Sequence, residues 1–204
     1  MYYDEKTAAR LINSMLASVE ESRPTLKKAW IDAAGNMCAC DGFRAYRLHT
    51  PVAGVPDEEA ENGIDLDKVF PADVYAYKPL ELPTLADVRC MIEEDKRKKK
   101  RDGDASFIFT FGMSDDGEQL PAVNLLYLAD VLQMFPNALA YYKNPVNPIV
   151  FKDENGDALV LPIRIMNGES KGIDPTKRRQ AIPQPKKDKT PALGLRTFAA
   201  LYAV

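Results

Sequence analysis

A segment with helical spacing followed by three short strand-like runs occurs twice in this chain, and that repeat of element order limits the folds open to it. In residues 5–19, Ala8, Leu11, Ile12, Met15, Leu16 and Val19 recur at three- and four-residue steps, the pattern of a helix with one buried face. Ser22-Arg23-Pro24 stops it, because the residue before proline is pushed out of helical geometry. Strand-like runs follow at 25–31, 36–40 and 43–49, separated by Ala34-Gly35-Asn36 and Asp41-Gly42, both turn signals. The helical period returns at 124–135 through Leu125, Leu128, Ala129, Leu132 and Phe135 and is broken by Pro136-Asn137. Three more runs then come at 138–142, 148–152 and 158–165, with Asn155-Gly156 predicting a hairpin between the last two. Two helix-plus-antiparallel-meander halves with both helices on one face make an α+β domain.

The remainder is less regular. Pro51, Pro56 and an acidic stretch at 57–63 mark a solvated loop, and an insertion of about 52–105 carries Val69, Phe70, Val74, Tyr75, Tyr77, Leu80 and Leu82 interrupted by Pro71, Pro79 and Pro83. Thr84 caps a predicted helix over about 85–98, with Leu85, Val88 and Ile92 on one side. Phe107, Phe109 and Phe111 alternate through a strand at 106–113, closed by a turn at Asp115-Asp116-Gly117. A domain of residues 1–167 and a proline- and lysine-rich tail of 168–204 are expected. In that tail Leu193, Leu195, Phe198, Leu201 and Tyr202 are apolar enough to predict docking on a hydrophobic surface.

Function classes narrow by elimination. At 204 residues, 46% hydrophobic and 28% charged, the chain can bury a core. A net charge of -3 confines any contact with double-stranded DNA to a local basic surface, and Lys96, Arg97, Lys98, Lys99, Lys100 and Arg101 form the densest one. The competing reading is a solvated helix end, since Glu93, Glu94, Asp95, Asp102 and Asp104 flank the run. No window is long and apolar enough for a signal peptide or a membrane span, so a cytoplasmic protein is expected. Cys38, Cys40 and Cys90 are read as packed thiols, with no metal or cofactor expected. A single histidine, His49, and the lack of a phosphate-binding glycine loop leave little for a catalytic mechanism, and Asp115, Asp116, Asp153 and Asp157 are read as turn residues. A non-enzymatic binding protein is therefore expected.

Two stretches carry a family resemblance. Arg23-Pro24-Thr25-Leu26 opens one, in which Cys40-Asp41-Gly42-Phe43-Arg44-Ala45 resembles the Thr-Asp-Gly-His-Arg-Leu segment of the bacterial DNA polymerase III beta subunit, the sliding clamp. In the other, Ala122-Val123-Asn124 through Leu132 resembles the clamp helix that begins Phe-Asn-Val, and Leu159-Val160-Leu161-Pro162-Ile163-Arg164-Ile165 resembles the closing Met-Pro-Met-Arg-Leu. The two stretches cover about 5–50 and 118–166, with Phe43, Cys40 and Ala45 standing where the family has histidine, threonine and leucine. The resemblance implies a hydrophobic groove for short peptides of replication or repair proteins, flanked here by Cys40, Gly42, Phe43, Arg44, Leu161, Pro162, Ile163 and Arg164. In the clamps these two flanks come from different domains. It also implies DNA replication, DNA binding and homo-oligomerisation. Two functions stand side by side: a processivity-type clamp acting through DNA and peptide partners, and a clamp-derived interaction module, of the kind a mobile element could carry, that is not a ring and binds no DNA.

Overall fold

The computed structural model describes residues 4–58, 64–103, 106–114 and 116–164. Helix α1 (Glu5–Ala17) starts where the Asp4 side chain accepts the Lys6 amide at 3.2 Å, and it buries Ala8, Leu11, Ile12, Met15 and Leu16. Each of the four large residues contributes about 1.5–3 kcal/mol by leaving water. Pro24–Leu26 forms a single 3-10 turn, so strand β1 (Ala29–Ile31) begins four residues later than the spacing predicts. The fixed backbone of Pro24 suits the start of a helical turn better than a strand. Strands β2 (Met37–Cys40) and β3 (Arg44–Leu48) complete the first meander.

The second half repeats the plan. Strand β7 (Ala122–Asn124), paired antiparallel with β6 (Ile108–Thr110), runs directly into helix α3 (Leu125–Met134), which Asn124 caps by accepting the Leu126 amide at 2.8 Å. Strands β8 (Leu139–Tyr142), β9 (Ile149–Asp153) and β10 (Gly156–Val160) follow. Between β9 and β10 the register pairs Gly156 with Asp153, so Glu154 and Asn155 form the loop and Gly156 already lies in the strand. The turn sits one residue earlier than Asn155-Gly156 suggests. Gly156 is required by close approach, because a Cβ there would collide with the Arg47 carbonyl of β3.

The halves fuse through β3 and β10, which pair antiparallel from Gly156 opposite Leu48 to Val160 opposite Arg44. The resulting sheet has eight strands in the order β4-β1-β2-β3-β10-β9-β8-β5, with β4 (Asp57–Glu58) parallel to β1 and β5 (Lys78–Leu80) antiparallel to β8. On one face α1 and α3 share a core with Tyr46, Leu48, Phe135, Phe151 and Val160, as expected of paired halves. Helix α2 (Leu85–Asp102) adds Val88 and Ile92 to that same core, so the insertion supplies a third helix to the layer. Thr84 and Asp87 close a capping box at its start, as Thr84 predicts.

The opposite face of the sheet is also covered. Leu66, Phe70 and Val74, carried on two 3-10 turns of the insertion, pack with Trp30, Cys38, Cys40, Ala45, Val150 and Leu159. Arg47 ties this cover down: it donates to Asp157 at 2.6 Å and to Asp67 at 2.8 Å, and its guanidinium lies 4.8 Å from the centre of the Phe70 ring. Asp157 is thus a buried strand residue paired with Arg47 and Lys152, which corrects its reading as a turn residue. Asp153 does shape the turn, accepting the Asn155 amide at 3.0 Å. Asp115 and the apolar tail residues Leu193, Leu195, Phe198, Leu201 and Tyr202 lie outside the described residues.

Candidate peptide groove at one end of the sheet

Strand register gathers the predicted groove segments at one end of the sheet. The end of β2 lies beside the start of β3, and the end of β10 lies between the starts of β3 and β9. Beyond Val160 the chain leaves the ladder: the Leu161 amide donates to the Phe43 carbonyl at 2.8 Å, and the Ile163 amide donates to the Ala122 carbonyl at 2.7 Å. Pro162, lacking an amide, falls between the two donors where no bond is made. Segment 161–164 is therefore an extended bridge from β3 to β7 and not the end of an edge strand, as its proline suggests, since β10 is central.

Next to this bridge lies a depression of about 220 Å³, lined by Leu120, Ala122, Pro145, Val146 and Ile163, with Gln119 and Arg164 at its polar side. Val146 is 55% exposed and Leu161 39% exposed. Asn144 holds Val146 in that position, its side chain accepting the Val146 amide at 3.1 Å and the Asn147 amide at 2.9 Å. Val146, Leu120 and Pro145 are not among the groove residues expected from the sequence. The pair of prolines around Val146 was the available signal, marking an apolar side chain in a loop that cannot close over it.

Arg44, expected at the groove, is buried and does not line the depression, and neither do Cys40, Gly42, Phe43, Leu161 or Pro162. Arg44 is 6% exposed, its Nε donates to Asp41 at 3.1 Å, its Nη1 donates to Asp130 on α3, and its guanidinium lies 4.5 Å from the centre of the Tyr127 ring. Burial alone would lower its pKa, and the Tyr46, Asp41 and Asp130 side chains raise it on balance, so the charge is secure. Asp41 also accepts the Phe43 and Arg44 amides at 2.8 and 2.9 Å, which fixes the turn and brings Phe43 against Tyr127. Gly42 holds the left-handed turn at φ +86. Cys40 and Cys38 face the second core together, as their two-residue spacing predicts. Burial pushes the Cys38 thiol up to about 12, which keeps it protonated. Among the described residues no cluster of His, Cys, Asp or Glu could hold a metal ion, and no helix is long and apolar enough to cross a membrane.

The basic run lies elsewhere, on the last turns of α2. Lys96 pairs with Glu93 at 2.7 Å, Lys98 pairs with Asp95 at 3.5 Å, and Lys99 lies 6.0 Å from the centre of the Phe107 ring. Lys99, Lys100 and Arg101 complement the negative end of the helix dipole, a local structural role for part of the run. None of the six cations lines the depression, and α2 shares the helix layer with α1 and α3.

No protein-family model and no curated protein matches this chain. Solved structures do. The beta subunit from DNA polymerase of Streptococcus pyogenes matches with a TM-score of 0.52 at 13% identity, over 77% of this chain and 64% of that one. The DNA polymerase sliding clamp of Bacillus subtilis matches with a TM-score of 0.53 at 15% identity, over 79% of this chain and 63% of that one. The Helicobacter pylori beta clamp bound to DNA ligase peptide matches with a TM-score of 0.51 at 10% identity, over 78% of this chain and 62% of that one. The match therefore spans less than two thirds of each clamp's length. The described residues form an α+β module whose fold is that of part of the bacterial DNA polymerase III beta subunit, the sliding clamp.

Proposed function

We propose that this chain is a non-enzymatic module that captures a short peptide segment of another protein, of the replication or repair kind, in the depression lined by Leu120, Val146 and Ile163. The observation that carries the reading is the bond between the Leu161 amide and the Phe43 carbonyl. It brings side by side two segments that come from different domains in the resembled clamps. A relative in fold, the Helicobacter pylori clamp, was solved with a peptide of DNA ligase. A depression of about 220 Å³ accepts one or two large apolar side chains. One or two such side chains contribute at most about 6 kcal/mol before the cost of ordering the peptide, so a Kd of roughly 0.1 mM or weaker is expected. Fluorescence anisotropy with a labelled peptide carrying spaced leucine and phenylalanine residues tests this. Ile163→Asp, at a half-buried position, should abolish binding with an unchanged circular dichroism spectrum. Equal binding by the variant would sink the groove assignment.

A DNA-contacting role is favoured by one separate observation, the exposure of Arg97 and Lys100 on the helix layer. A duplex of about 20 base pairs should then bind with an affinity that falls steeply between 50 and 200 mM salt. Replacing both residues by glutamine should lower the log–log slope by about 2, at roughly 0.9 per phosphate contact. If no duplex binds at 50 mM salt, the processivity reading gives way to the interaction module, for which a monomer in light scattering is also expected.

A further inference from the structure

We propose that residues 64–77 form a cover that lifts from the second face of the sheet while the rest of the domain stays folded. The chain between β4 and β5 has to pass from one edge strand of the eight-stranded sheet to the other. On the way its residues 64–77 lie against the face opposite the three helices, where Leu66, Phe70 and Val74 close over Trp30, Cys38, Cys40, Val150 and Leu159. Side chains alone hold it there. Its backbone hydrogen bonds are local, within 65–70 and from the Tyr77 amide back to the Val74 carbonyl, and among the described residues no backbone bond joins 64–77 to a strand. Asp65 and Asp73 cap its two 3-10 turns from within the segment.

Helices α1 and α3 also meet the sheet through side chains, but each buries five residues and keeps its own ladder of backbone bonds. The cover buries three on two isolated turns, while Ile64, Val69 and Tyr75 of the same segment remain exposed. Few buried apolar contacts and no shared backbone bonds are the marks of a segment that opens before the core does. Among the described residues one ion pair crosses from the cover to the sheet, Asp67 with Arg47 at 2.8 Å. The Asp67 side chain is 85% exposed, so this tie is weak and screened by salt. Lifting the cover returns Asp67 to water and leaves Arg47 paired with Asp157, so opening strands no buried charge. What it uncovers is an apolar strip of the sheet, Trp30, Val150 and Leu159, together with two thiols that the closed chain keeps from solvent.

Those thiols are the reporters. Cys38 and Cys40 lie beneath the cover, and the exposed Cys90 is removed by Cys90→Ser. In that background, on the full chain with an aromatic disulfide reagent, Cys38 and Cys40 should react faster than global unfolding permits. Their rate should be nearly flat up to about 1 M urea, because lifting the cover exposes far less surface than unfolding the domain. Phe70→Ala should raise the rate about tenfold or more, since it removes the largest side chain that holds the cover down. Asp67→Asn should raise it about threefold at 50 mM NaCl and leave it unchanged at 500 mM. Labelling as steep in urea as global unfolding followed by circular dichroism, or labelling that these substitutions leave unchanged, would overturn the proposal. Should Phe70→Ala fail to fold, Asp67→Asn, at an exposed carboxylate, decides by itself.

Discussion

Arg44→Ala should destabilise the protein by about 3–5 kcal/mol, one of the two largest effects expected of a single substitution here. The cause is what remains behind. The Asp41 side chain is 4% exposed and would be left as a buried carboxylate without its cation, still bound to the Phe43 and Arg44 amides that need it for the turn. Asp130 is 29% exposed and can turn to water, so a double-mutant cycle should give Arg44 a larger coupling to Asp41 than to Asp130. Arg44→Lys should recover only part of the loss, since an ammonium cannot reach both carboxylates while stacking on Tyr127. Urea unfolding followed by circular dichroism measures each value. A loss below about 1 kcal/mol for Arg44→Ala would show that the turn does not depend on the ion cluster.

Phe135→Ala should cost a similar 3–5 kcal/mol, for a different reason. Phe135 is fully buried at the C-terminus of α3, and its ring meets Tyr46 of β3 edge to face, with centroids 6.3 Å apart. Truncation opens a cavity between the two halves, in a place where the fused sheet on one side and the helix layer on the other resist collapse. For a domain of this size the midpoint of thermal unfolding should fall by about 10 °C, while Phe135→Leu should lose much less. Equal losses for the two variants would mean that the aromatic contact, and not the volume, is what the site requires.

The regular part of this architecture is legible because its signals are local. The apolar spacing of α1 and α3, the turn at Asp41-Gly42 and the capping Thr84 each depend on neighbours within one or two turns of chain, and each stands close to where the sequence places it. The insertion is illegible for the opposite reason. Lys78–Leu80 becomes a strand only because Tyr142 and Ala140 of β8 offer it an open edge, and Pro79 is tolerated because β5 is the last strand on that side. Leu66, Phe70 and Val74 follow no period because they fill hollows on a sheet face formed by other segments. Of the residues expected at a groove, Ile163 and Arg164 line the depression, whereas Arg44 is drawn into an ion cluster by Asp130, a residue 86 positions away in sequence.

The seam between β3 and β10 also sets an order in which the chain can become itself. Leu48 and Gly156, partners in the finished sheet, are separated by more than a hundred residues, and closing so long a loop has to be offset by contacts that come only afterwards. During synthesis the first meander would exist before its partner has been made. Until Gly156–Val160 emerges, β3 is an outer strand whose unpaired amides and carbonyls can template the wrong neighbour. Arg47 on that strand then has a second value. A charged side chain on an open strand discourages edge-to-edge association, and it becomes an ion-pair partner once Asp157 arrives opposite it.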